Sequence, residues 1–240
     1  MSPASVLLLL PVLPVVFALV LLVGSEPIRR RAALPVGLVA GLCLAASLLA
    51  PVGSLALPKL LVEATSFLTL NATSRAILLL CGSLWLSCAL AWPGDREEDT
   101  LAGPLLLIAL AGAATLALAE GGSLVFASLI GIGYALYARV LITSSDVGQR
   151  GGRALVVLLV TSDVILFELL LDLAAHLSAP PGTRVWLLAL AATVLRGAIP
   201  PAHGWLPMAL AGARPADAAI LASLPPAAAV LGISRMLPTA

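Results

Sequence analysis

The sequence predicts an all-α membrane protein: a single transmembrane domain of about eight helical spans, the seventh of them broken. Three observations carry this. Hydrophobic residues make up 61% of the 240 residues and charged residues only 10%, with a mean hydropathy of +1.12. A soluble domain carries about 25% charged residues, so this chain cannot cover its surface with polar groups and its solvent is lipid. The apolar residues fall into runs close to the ~20 residues that a spanning helix needs. Finally, adjacent prolines, Pro200 and Pro201, interrupt one of those runs, and proline cannot continue a helix.

In chain order, the first span runs from about Ser5 to Gly24 and closes at Glu26-Pro-Ile-Arg-Arg-Arg31. Its flanks are those of a membrane helix and not of a signal peptide: no positive charge precedes the apolar run, and Arg29 to Arg31 follow it. The second covers about Ala33 to Ala50. The stretch Val52 to Phe67, with Lys59 and Glu63, reads as a loop with an interfacial segment. The third span, about Leu70 to Trp92, ends at the acidic loop Asp95 to Asp99. The fourth and fifth, about Leu101 to Ala119 and Ser123 to Ile142, are separated by Glu120-Gly-Gly. The sixth covers about Ala154 to His176; the seventh starts near Arg184 and breaks at the prolines; the last covers about Ala216 to Leu237. Arg29 to Arg31, Arg139, Arg150 and Arg153 mark the cytoplasmic side. Both termini are then outside the cytoplasmic (inner) membrane.

Small residues at four-residue spacing, Gly37/Gly41 and Ala109/Ala113/Ala117, are expected to let helix backbones approach closely. A net charge of +1 without a basic block argues against nucleic acid as a partner. Cys43, Cys81 and Cys88 lie in apolar runs without metal-ligand spacing, and only two histidines are present. No metal or cofactor is expected, and Gly148-Gln-Arg-Gly-Gly152 lacks the Lys-Ser/Thr of a phosphate loop. Nothing marks an enzyme in its own right.

Charged groups at the centre of a span cost about 3 kcal/mol each and usually face a polar pocket or a partner. Those singled out inside spans are Asp163, Glu168 and Asp172 in the sixth and Arg196 in the seventh. Glu168 and Asp172 are four apart and share a helix face. Asp163 is 13 residues from His176, and Arg196 is 12 from Arg184. At ~1.5 Å per residue both lie about 18–20 Å from the outer ends, which predicts an Asp163–Arg196 ion pair; the alternative is that each pairs with a different helix or a partner subunit. Arginine is effectively always charged, so Arg196 can hold a carboxylate or bias a field but cannot relay a proton. His203 and Trp205 follow the break; a hydrogen-bonded packing role for His203 stands beside a proton-path role.

The stretch Arg196-Gly-Ala-Ile-Pro-Pro-Ala-His-Gly-Trp-Leu-Pro-Met-Ala209 resembles the central motif of the proton-conducting antiporter-like membrane subunits. These are shared by respiratory complex I, Mrp-type cation/proton antiporters, energy-converting membrane hydrogenases and DAB-type inorganic-carbon pumps. That motif reads Lys-Ser-Ala-x-x-Pro-Phe-His-x-Trp-Leu-Pro-Asp-Ala. Arg196, Ala198, Pro201, His203, Trp205, Leu206, Pro207 and Ala209 fall in register with it without gaps. Pro215 and Arg235 match the next motif and the end of the following helix, Ser162-Asp163 resembles the Gly-Asp that opens the preceding one, and Asn71-Ala-Thr-Ser74 stands in the place of Asp-x-x-Ser. The resemblance covers about residues 70 to 237, so residues 1–69 read as N-terminal spans and 70–240 as a shortened antiporter-like core. It departs at working positions: Arg196 replaces the central lysine, Met208 the acid after Trp-Leu-Pro, and Leu221 a histidine. The fifth span lacks the family's glutamate, and the family usually continues with further helices.

The resemblance implies a membrane subunit of a larger complex, which anchors it or forms part of a proton or ion path completed by other membrane subunits. A soluble redox or hydration module is implied as a further partner beside the lipid bilayer. In such a path Asp163, Glu168 and His203 would titrate while Arg196 sets the field. The alternatives are an autonomous proton-coupled transporter and a purely structural subunit.

Overall fold

The computed structural model describes residues 3–57, 66–91, 101–143, 145–175, 182–211 and 213–237. Helices dominate: α1 (Pro3–Val23), α2 (Glu26–Arg30), α3 (Ala33–Leu49), α4 (Ala72–Leu90), α5 (Ala102–Leu118), α6 (Gly122–Thr143), α7 (Asp146–Ala175), α8 (Thr183–Arg196), α9 (Trp205–Leu210) and α10 (Pro215–Met236). Among the described residues, six stretches are long and apolar enough to cross a membrane: Ala4–Val23, Glu26–Leu49, Ala72–Leu90, Gly122–Ile142, Asp146–Ala175 and Pro215–Met236. The other two expected spans take different forms. The fourth, α5, has only 17 residues, the lower end of what spans a bilayer. The seventh is α8, 14 residues long, followed by the break and α9. His176 and the acidic loop 95–99 lie outside the described residues.

The bundle is built around α5, in which 14 of 17 residues are buried. That explains its all-round apolar sequence: a helix enclosed by others has no polar face. It packs mainly against α6 and α1, and also touches α4 and α3. The close approach to α6 runs through Gly112, where an added Cβ would lie 3.0 Å from the Ser128 carbonyl oxygen and 2.8 Å from Ile132. Ala109, Ala113 and Ala117 are all buried on this helix. A Cβ added at Gly37 would lie 3.6 Å from Ala89, whereas one at Gly41 would meet nothing within 4 Å; the glycine that lets α3 and α4 close up is Gly82, where an added Cβ would lie 3.0 Å from the Ala40 carbonyl oxygen. The buried Trp85 anchors α4 to α5 by donating its indole N–H to Leu106 O at 3.2 Å.

The stretch expected as a loop with an interfacial segment instead contributes to a sheet. Strand β1 (Gly53–Leu57) pairs antiparallel with β2 (Ser66–Leu70), and β2 pairs with β3 (Ala119–Glu120), the link between α5 and α6. Lys59 and Glu63 lie outside the described residues. In β2 Ser66, Leu68 and Leu70 are buried and Phe67 is exposed, the period-2 pattern of a strand with one face on a core. One of its partner strands, β3, comes from residues about 50 positions away, which local composition does not reveal.

Arginines tie the helix ends. At the sheet end Arg235 donates to Ala119 O (2.5 Å) and Ala117 O (2.8 Å) and reaches Ser74 Oγ (3.3 Å). At the opposite end Arg139 donates to Ala102 O at 2.5 Å and pairs with Asp217. These bonds set α10 parallel to α5, so that each end of the bundle gathers helix termini.

Candidate functional site

The site lies where α6, α7, α8 and α10 meet. Helix α8 ends at Arg196, and its guanidinium, 4% exposed, turns inward to pair with Asp163 of α7. The guanidinium Nη1 donates to Leu129 O of α6 at 2.6 Å, and Nε is 3.4 Å from Ser162 Oγ. Ser162 itself donates to Ala192 O of α8 at 3.4 Å. On the other side of the carboxylate, Tyr134 of α6 hydrogen-bonds Asp163. The partners are therefore at similar depth and face each other across α7 and α8, the pairing that the count from the helix ends predicts. A buried charge persists only when paired and hydrogen-bonded, and Arg196 has a carboxylate, a carbonyl and a hydroxyl within reach.

Gly133 makes the room. An added Cβ there would lie 3.0 Å from Arg196 Nη1 and 2.8 Å from Leu159. Beside the guanidinium is a cavity of about 10 Å³, lined by residues that include Gly133, Leu155, Leu159 and Pro225; this is roughly the room of one water molecule. Arg196 is its charged wall, and the rest of the lining is apolar.

After Arg196 the chain leaves helical geometry. Gly197 N–H caps on Thr193 O at 2.8 Å, Ala198 adopts φ 53, in the left-handed region, and Ile199 N–H reaches back to Val194 O at 3.3 Å. Pro200 and Pro201 are joined by a cis peptide. A 3-10 turn, Ala202–Gly204, then leads into α9. Neither Pro200 nor Pro201 has an N–H, so the carbonyls of Arg196 and Gly197 lose the donors that a continuous helix would supply. Helix α9 packs back against α7 at Gly151, where an added Cβ would come within 2.5 Å of Ala209 N. Since Arg196 meets α7 at 162–163 and Ala209 meets it at 151, the break spans about 17 Å of depth at ~1.5 Å per residue.

The other residues singled out from the sequence are placed apart from this cluster. Glu168 is 48% exposed near the far end of α7 and pairs with Arg184, itself 64% exposed, which also approaches Asp172 at 3.6 Å. His203 is exposed in the 3-10 turn and takes no part in the Asp163–Arg196 contacts. Trp205 is buried, Leu206 half-buried and Pro207 exposed. Among the described residues, no group of three or more His, Cys, Asp or Glu is placed to hold a metal ion.

Sequence reasoning missed three residues of the polar interior. Tyr134, in a span without acids, became a partner of Asp163 only through the α6–α7 packing. Arg139 and Asp217 form a second ion pair, their side chains 7% and 3% exposed, with Arg139 Nε 2.5 Å from Asp217 Oδ1. Arg139 read as a marker of the cytoplasmic side, and Asp217 falls just after Pro215 at a helix start, where an acid is ordinary. The available signal was that both lie within a turn or two of the same membrane face, on helices ending and starting there.

No family model matches this sequence, and no curated protein matches it. Solved structures do. A chain of the Mrp complex from Dietzia sp. DQ12-45-1b superposes with a TM-score of 0.77 at 21% identity, over 98% of this chain and 49% of that one. A chain of the membrane-bound sulfane sulfur reductase, an archaeal respiratory membrane complex, superposes with a TM-score of 0.67 at 15% identity, over 99% of this chain and 41% of that one. The chain thus spans less than half the length of either neighbour. With its apolar helices and the break after α8, this multi-pass chain shares its fold with those chains of the two membrane complexes.

Proposed function

We propose that this chain is a membrane subunit of an ion-translocating assembly, and that it contributes a mid-membrane charge pair, Asp163–Arg196, to a proton or ion path completed by other subunits. The carrying observation is the asymmetry of that pair. Arg196 is 4% exposed and clamped on three sides, whereas the Asp163 side chain is 14% exposed and is held by Arg196 and Tyr134. A guanidinium does not give up its proton, so Asp163 is the member that can exchange one, with Arg196 as its fixed counter-charge. Glu168, at the far end of α7, and His203, in the turn after the break, are the further polar groups of this path. The fold shared with chains of two multi-subunit complexes supports a place in such an assembly, in the cytoplasmic membrane with the N-terminus outside. A soluble redox or hydration module completes the assembly.

The test is purification from native membranes in mild detergent, then proton flux in liposomes that contain the recovered complex. Asp163→Asn is expected to abolish flux while leaving the complex intact. A chain recovered alone would overturn the subunit reading. Undiminished flux in the Asp163→Asn complex would reduce the chain to an anchor.

A further inference from the structure

The second buried ion pair is lopsided. Asp217 is 3% exposed, and its Oδ1 accepts from both Nε of Arg139, at 2.5 Å, and Nη2. Its other oxygen, Oδ2, is buried and has no hydrogen-bond partner among the described residues. An arginine–carboxylate pair that only ties helices together is best made as a fork, one N–H to each oxygen; here both go to one. Two neighbouring donors are committed elsewhere: Arg139 Nη1 to Ala102 O of α5 at 2.5 Å, and the Cys88 thiol of α4 to Ala216 O at 3.7 Å. A buried carboxylate oxygen without a donor is costly, and native proteins cover such groups with protein or water.

A seam leads from that oxygen to Arg196. On α10, Asp217, Leu221, Pro225 and Ala228 fall within about 80° of one another at ~100° per residue, and the last two line the cavity beside Arg196. On α6, Arg139, Leu136, Ile132 and Leu129 share a face in the same way, and the last three line that cavity. Arg139 is about 4.5 Å along the axis from Leu136 and about 15 Å from Leu129, whose carbonyl holds Arg196. Pro225 has no N–H, so the carbonyl of the buried Leu221, which points along α10 toward Pro225, loses its helical donor. Between the two ion pairs there are thus two buried acceptors without donors and a cavity that fits a water.

We infer that Asp217 is a proton-exchanging group, reached from the membrane face where α6 ends and α10 begins, whose proton passes by water along the α6–α10 seam to Asp163. This rests on the proton-path reading above and names where the proton enters. Oδ2 takes a proton from a hydronium ion at that face, whose O–H bond breaks as the Oδ2–H bond forms, while Arg139 keeps its charge. Water of the seam then takes the proton from Oδ2 and gives it to Asp163; one proton enters, one moves on, and nothing else changes. Arg139 of α6 and Cys88 of α4 face Asp217, and α5 adds a carbonyl. Neither guanidinium relays the proton; they fix the two carboxyls at the ends of the seam.

The test uses the complex recovered from native membranes and placed in liposomes. Dicyclohexylcarbodiimide, an apolar reagent that couples to protonated carboxyls, is added at a series of pH values, and labelled peptides are read by mass spectrometry. Asp217 is expected to be labelled, more strongly as pH falls. Ala228→Val, which fills the cavity and leaves the Arg139–Asp217 pair in place, should slow proton flux at least about tenfold with the labelling retained. Asp217→Asn should slow it as much and Asp217→Glu restore most of it, in complexes that elute as wild type; if Asp217→Asn does not assemble, labelling and Ala228→Val decide. An unlabelled Asp217, or wild-type flux through Ala228→Val or an assembled Asp217→Asn, overturns the inference. If wild-type liposomes carry no flux that Asp163→Asn removes, the proton-path reading fails and the inference with it; if they carry it and Asp217 stays unlabelled, the inference alone fails.

Discussion

Replacing Arg196 by glutamine removes the guanidinium from Asp163, Leu129 O and Ser162 Oγ in one step. The carboxylate keeps only Tyr134, in a protein interior that lipid surrounds. Breaking one side of a buried ion pair costs about 3–5 kcal/mol, because the surviving charge stays desolvated without compensation. Asp163→Asn is milder: the amide oxygen still accepts from Arg196, and the loss is that of a charged over a neutral hydrogen bond, about 2 kcal/mol. In the double variant two neutral amides face each other and no unpaired charge remains, so its loss should not exceed that of Arg196→Gln alone. The coupling energy is then about 2 kcal/mol, within the range for residues in contact. The assay is reversible unfolding of all four proteins in mixed micelles of rising denaturing-detergent fraction, read by circular dichroism and by crosslinking of α7 to α8. A double variant whose loss equals the sum of the single losses refutes the reasoning, as does a loss below about 1 kcal/mol for Arg196→Gln, outside the range for a buried pair.

Three further outcomes follow from the packing. Asp217→Asn takes the carboxylate from the buried Arg139 guanidinium and should destabilise by about 3 kcal/mol; thermal unfolding in detergent measures it. Glu168→Gln should change stability by less than about 1 kcal/mol, since its pair with Arg184 is exposed and screened; the same unfolding assay at low and high salt checks this. Gly151→Ala would bring a Cβ within 2.5 Å of Ala209 N and 2.8 Å of the Met208 carbonyl carbon, both backbone atoms. Helix α9 must then shift off α7, at about 1–3 kcal/mol, and protease sensitivity at the 211–214 connection should rise while far-ultraviolet circular dichroism stays unchanged.

Spans, break and central pair were legible in the sequence because each rests on a local or one-dimensional quantity. Apolar run length maps directly onto a membrane of set thickness, two adjacent prolines remove N–H groups wherever they stand, and counting residues from helix ends gives depth at a constant rise. Depth matched Asp163 to Arg196, and the motif from Arg196 to Ala209 pointed to the fold that the solved neighbours share. What run length and depth leave open is azimuth, the direction in which each helix turns its side chains, and that is set by neighbours remote in the chain. Packing of α6 on α7 alone brings Tyr134 to Asp163. The meeting of α6 and α10 at one membrane face turns Arg139 and Asp217 from ordinary terminal charges into a buried pair 78 residues apart. The same holds for β2, whose partner strands include β3, Ala119–Glu120, and for Glu168, which shares a helix with Asp163 but points to Arg184. Composition and spacing decide which residues can enter the membrane and how deep; only the packed bundle decides which of them face one another, because facing depends on rotation about axes that a linear pattern does not register.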